Sequence, residues 1–106
     1  MNASVLSQIS ELTGYLGHAE VSDDFQLLNN SIDQPPEVVA EVCGVIIGYF
    51  KAQASSSDPV VSVSVVYDTC LYITYSTTDG YLLIKFSRNE DLTDVRASLS
   101  SILGRS

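Results

Sequence analysis

The pattern of apolar and polar positions divides the chain into eight segments. Val5, Leu6, Ile9 and Leu12 recur at helical spacing, which predicts a short amphipathic helix over residues 4–14, started by Ser4 and ended by Gly14. YLGHAEVS (15–22) and FQLLN (25–29) read as strands joined at Asp23-Asp24, although alternation in the second is poor. NNSIDQPP is a loop by composition. Residues 36–54 give the strongest helix signal: Pro36 suits a first turn and Glu37 suits the positive end. Val38, Val39, Val42, Cys43, Val45, Ile46, Ile47, Tyr49 and Phe50 then occupy most of its circumference. A helix with so broad an apolar surface needs cover on more than one side. Gly44 and Gly48 stand four apart, and each costs about 1 kcal/mol of helix propensity relative to Ala. That cost points to a packing reason, such as the close approach of another backbone.

The second half reads as a three-stranded meander and a closing helix. In the strand over 60–67, Val61, Val63 and Val65 face one way, and Ser62, Ser64 and Val66 face the other. Asp68-Thr69 turns the chain into CLYITYS (70–76), and TTDG turns it again into YLLIKFS (81–87). In NEDLTDVRASLSSILGR the buried stripe is Leu92, Val95, Leu99, Ile102 and Leu103, with Ser87 or Asn89 as cap and Glu90 and Asp91 at the positive end. The order α-ββ-α-βββ-α, with hairpins dominant, predicts a single α/β (α+β) domain over residues 1–106. Its five-stranded antiparallel sheet would carry helices on both faces.

Charge and candidate chemistry narrow the function. Five Lys and Arg stand against thirteen Asp and Glu, a net charge of -8, which disfavours nucleic acid and anionic membranes as partners. A hydrophobic fraction of 45% is enough for a core. No leader pattern opens the chain, and VCGVIIGYF is too short to span a bilayer, so a cytoplasmic location is expected. Cys43 and Cys70 lie in apolar surroundings without ligand spacing for a metal. Buried free thiols are expected of them, and a disulfide between them stays open. His18 is the single histidine, and no Gly-rich phosphate loop is present. Turn and capping preferences account for Asp23-Asp24 and Glu90-Asp91-Asp94. The expectation is therefore no catalytic residue, no cofactor, no metal and no enzymatic activity.

Three segments carry a family resemblance: the opening helix VLSQISELTGYLG, the long helix EVVAEVCGVIIGYFKA, and the meander VVSVSVVYDTCLYITYSTTDGYLLIKFS followed by LTDVRASLSSIL. With them the chain resembles the Roadblock/dynein light chain family, in its bacterial gliding-regulator form, over nearly its whole length. It departs at the first hairpin turn, SDDF, where bacterial members often carry a glycine. The resemblance implies a profilin-like Roadblock fold and a homodimer, or a heterodimer with a paralogous Roadblock protein. The long middle helices would lie side by side and the third strands would pair at the sheet edge. It also implies scaffolding or regulation of a small Ras-like GTPase. The residues independently call for a second cover over helix 36–54 and a partner for the uncharged strand 60–67. A two-fold dimer would supply both, with Val39, Cys43, Ile46, Ile47, Phe50, Val61, Val63 and Val65 at or near its interface. An alternative is an acidic, dimeric secretion-chaperone-like module, which would place three strands before the middle helix and two after. A small-ligand sensor would instead need a polar pocket with perturbed ionisable groups.

Overall fold

The computed structural model describes residues 3–24, 26–53 and 62–104. In chain order the elements are α1 (Ala3–Ser10), β1 (Tyr15–Ser22), β2 (Leu27–Asn30), α2 (Pro36–Ala52), β3 (Ser62–Val66), β4 (Cys70–Ser76), β5 (Gly80–Ser87) and α3 (Leu92–Leu103). The strands form one antiparallel sheet in the order β2-β1-β5-β4-β3. Two strands thus precede the long helix and three follow it, unlike the order expected of a secretion chaperone.

The period of two along the strands sorts side chains into two apolar layers. Cys70 and Tyr72 of β4, Leu83 of β5, and Ala19 and Val21 of β1 face α2, where Val39, Cys43, Ile46, Ile47 and Phe50 close over them. Leu71, Ile73 and Tyr75 of β4, with Leu82, Ile84 and Phe86 of β5, face the opposite side against Ile9 of α1 and Val95 and Leu99 of α3. β4 and β5 are therefore apolar on both faces, as their nearly unbroken apolar runs require. Truncating one such side chain to Ala, Ile84 for example, costs about 2–5 kcal/mol.

Several boundaries differ from the sequence-based expectation, each for a local reason. α1 ends at Ser10 instead of continuing to Gly14. Glu11 and Leu12 donate to the carbonyls of Gln8 and Ile9, a tightened last turn. Gly14, at φ +83°, then reverses the chain, and its carbonyl accepts from the Ser87 amide. β2 runs Leu27–Asn30 with a register shift opposite Glu20 and Val21 that leaves Leu28 as the extra residue. That bulge explains the poor alternation, and Phe25 lies outside the described residues. At the glycine-free first turn, Ser22 supplies the closure: its amide donates to Gln26, its hydroxyl to Asp24, and the Gln26 amide donates back to its hydroxyl.

The cap of α3 is Asp91, whose carboxylate accepts from the Asp94 amide at 3.1 Å. Ser87 and Asn89, the expected caps, belong to the preceding turn, where Ser87 accepts from the Asn89 and Glu90 amides. Gly104 ends the helix in the left-handed region, at φ +68°.

Candidate interaction surface

The long helix divides sharply between an inward and an outward arc. Val39, Cys43, Ile46, Ile47 and Phe50 are turned onto the sheet and enclosed by the chain itself, with Ile46 and Ile47 each 1% exposed. Phe50 packs on Tyr81 with ring centroids 5.2 Å apart. Val63 and Val65 of the edge strand β3 are half-buried against the same layer, and Val61 lies outside the described residues. The seven described residues expected at or near a dimer interface are thus one contiguous set, but they form the underside of the helix and the sheet it rests on. A contact made by α2 with another molecule would be formed by the neighbouring arc.

That arc is apolar along one side. Val45 is 68% exposed, Tyr49 52% and Val38 38%, and the small residues Ala40 and Ala52 are also exposed. At Gly44 and Gly48 an added Cβ would meet nothing within 4 Å among the described residues, so packing against them does not require either glycine. Charge lies beside them: Glu37, Glu41 and Lys51 are exposed along the same strip of the helix as the two glycines. The signal that separates the arcs was present in the sequence. Glu37, Glu41, Gly44, Gly48 and Lys51 fall together when projected at 100° per residue, and that projection places Val45 and Tyr49 outward and Val39 and Phe50 inward.

The groups with chemical potential are occupied in structural contacts. The His18 ring nitrogen Nδ1 lies 2.7 Å from the Tyr15 hydroxyl and 3.3 Å from the Ser31 hydroxyl. Tyr15 also meets Phe86 edge-on, so the cluster ties the start of β1 to the segment that follows β2. Burial lowers the His18 pKa, opposed by the charge of Glu20, and Nε2 is buried without a hydrogen-bond partner among the described residues. Burial pushes the Cys43 thiol up to about 11 and the Tyr72 hydroxyl up to about 12, the latter aided by Cys70. Cys43 and Cys70 are both buried free thiols. Tyr72 donates to Gln34 at 2.6 Å, which fixes the loop entering α2. Arg96 forks onto the hydroxyls of Ser64 and Ser62 at 2.9 and 2.8 Å, linking α3 to the edge strand. Among the described residues no group of three or more His, Cys, Asp or Glu is arranged to hold a metal. No helix among them is long and apolar enough to cross a membrane.

Comparison with known proteins defines the class. The architecture is that of a Roadblock domain: a five-stranded antiparallel sheet with one long helix on one face and two shorter helices on the other. The crystal structure of a Roadblock/LC7 domain from Streptomyces avermitilis superposes with a TM-score of 0.70 at 11% identity, covering 93% of this chain and 88% of that one. The crystal structure of MglC from Myxococcus xanthus superposes with a TM-score of 0.59 at 14% identity, covering 93% of this chain and 89% of that one. No family model and no curated protein matches the sequence. At these identities the likeness establishes the fold.

Proposed function

We propose that this chain is a non-catalytic, self-associating Roadblock-type regulator that scaffolds a small Ras-like GTPase in the cytoplasm. The observation that supports association is the outward arc of α2, where Val38, Val45 and Tyr49 face solvent near two glycines that no described residue packs against. Surface apolar residues are ordinary singly. Three on one helix, flanked by backbone that permits close approach, are better explained by a second helix. A two-fold axis crossing α2 near Gly44 and Val45 would cover the arc on both copies with one self-complementary surface. The partner is a homodimer mate or a paralogous Roadblock protein, and the GTPase would be engaged by surface contact. The structural likeness to a Roadblock/LC7 domain and to MglC supports a regulatory role through the shared fold.

Val45→Glu tests this reading. Covering a whole Val side chain is worth about 1.5–3 kcal/mol, so the 68% that is exposed accounts for about 1–2 kcal/mol per copy. Two copies then lose about 2–4 kcal/mol, which weakens association by roughly 30- to 1,000-fold. Glu exceeds Val in helix propensity, so the subunit itself should remain folded. Sedimentation equilibrium should show the wild type associated and Val45→Glu dissociated, and a Ras-like GTPase should co-purify with the wild type. A wild-type monomer that retains no such GTPase would remove the proposal.

A further inference from the structure

On the face of the sheet opposite α2, α1 and α3 leave one end uncovered, and a groove of roughly 330 Å³ opens there. Its apolar lining comes from Val5 of α1, Leu28 of β2, Leu82 of β5, and Ile102 and Leu103 of α3. Leu28 is the bulged residue of β2 and is 63% exposed, so the bulge turns an apolar side chain outward beside the groove.

The electrostatic character of the groove is one-sided. Glu20, which accepts from the Asn29 side-chain amide, and Asp79 contribute to its wall, and among the described residues no Lys or Arg lines it. α3 ends at the groove with Ile102 and Leu103, and its last turn contains no basic residue. The negative end of the helix dipole therefore adds to the two carboxylates. An apolar floor under an anionic rim complements an apolar side chain with a cation beside it. An acidic segment would be repelled, and a purely apolar ligand would leave the rim unmatched. The volume is at the low end for ligand pockets, enough for one or two side chains of a peptide. β2 is the outermost strand on this side and no described strand pairs with its outer edge, so an extended segment has a ladder available beside the groove.

We infer that the groove docks a short extended segment of a partner protein in which leucine-like side chains are interleaved with lysine or arginine. This surface lies across the sheet from the outward arc of α2, so the inference stands independently of self-association. The test uses the full chain and two fluorescein-labelled peptides, KLLKLR and ELLELE, titrated by anisotropy at low salt, with backbone amide shifts mapped by NMR. KLLKLR should bind and ELLELE should not, with shifts centred on Leu28, Asp79, Gly80 and Leu82. Asp79→Lys should weaken binding about fivefold, the upper range for an exposed charge pair. Thr78→Lys, which leaves the Asp-Gly turn intact, should weaken it also. Asp23→Lys, in the first hairpin turn and outside the groove lining, should change it by less than about twofold. Equal affinity for the two peptides, equal losses at Asp79 and Asp23, or shifts centred on α2 would overturn the inference. The same shifts on concentrating the protein without peptide would overturn it too, by showing a second copy in the groove.

Discussion

Replacing Gly44 and Gly48 together by Ala sets two effects of opposite sign against each other. Inside the subunit the change should stabilise. Both glycines lie within the helix and neither Cβ would meet an atom of the described residues within 4 Å. Each replacement recovers about 1 kcal/mol of helix propensity. Together they contribute about 2 kcal/mol, which for a domain near 100 residues raises Tm by roughly 10 °C. Between subunits the change should destabilise. Packed helix axes lie 8–10 Å apart depending on the side chains at the contact, and glycine permits the short end of that range. Methyl groups added across a two-fold contact force the axes apart or overpack it, at about 1–3 kcal/mol, so association weakens by roughly 5- to 150-fold. Thermal unfolding of the dissociated subunit at low concentration reads the first effect, and sedimentation equilibrium reads the second. A lower Tm for the dissociated subunit would show that the glycines serve its internal packing. Unchanged association would show that the helices do not meet across them.

Three further outcomes follow from single side chains. Asp91→Ala removes the acceptor for the Asp94 amide and should cost about 1 kcal/mol, read by urea denaturation with an unchanged m-value. His18 has a folded-state pKa lowered by burial, so below its ordinary value of 6.5 the unfolded chain binds the proton more readily. The stability it contributes is present above pH 6.5 and lost as pH falls toward the folded-state pKa. Wild type should therefore lose more stability than His18→Gln over that window, and parallel curves in pH-dependent denaturation would contradict this. The Cys43 thiol, pushed up to about 11, should resist iodoacetamide at pH 7.5 in the folded protein and react promptly in urea, as followed by mass spectrometry.

The elements most legible in the sequence were those whose periodicity serves a single purpose. The meander kept its alternation, with Val63 and Val65 toward α2 and Ser62 and Ser64 toward α3, because its ladders are continuous and without bulges. α3 was legible because Val95 and Leu99 lie four apart on one face. β2 was less so, because the extra residue at Leu28 breaks the period of two that reveals a strand. The proposed interaction surface was legible only as an excess. The count of apolar residues on α2 led to the expectation of more than one cover, but the largest side chains draw attention first, and Ile46, Ile47 and Phe50 are the ones the sheet takes. The outward arc is identified by its glycines and charges. The groove had no linear signal, because Val5, Leu28, Asp79 and Leu103 come from four separate elements or turns.

The two surfaces differ in physics as well as in position, and salt should separate them. Each copy carries a net charge of -8, so two copies meeting through α2 would repel one another, while the side chains proposed to touch, Val45 and Tyr49, are uncharged. Raising ionic strength shortens the screening length from about 10 Å at 0.1 M toward 3 Å at 1 M, which relieves the repulsion and leaves the apolar contribution in place. Association through α2 should therefore hold or strengthen as sodium chloride is added. The groove is the reverse case: its selectivity comes from Glu20, Asp79 and the carbonyl end of α3, all of which act on a peptide cation through the same screened field. Peptide capture should weaken over the same range. A common sign for both salt responses would mean that one of the two surfaces is held together by forces other than those its residues provide.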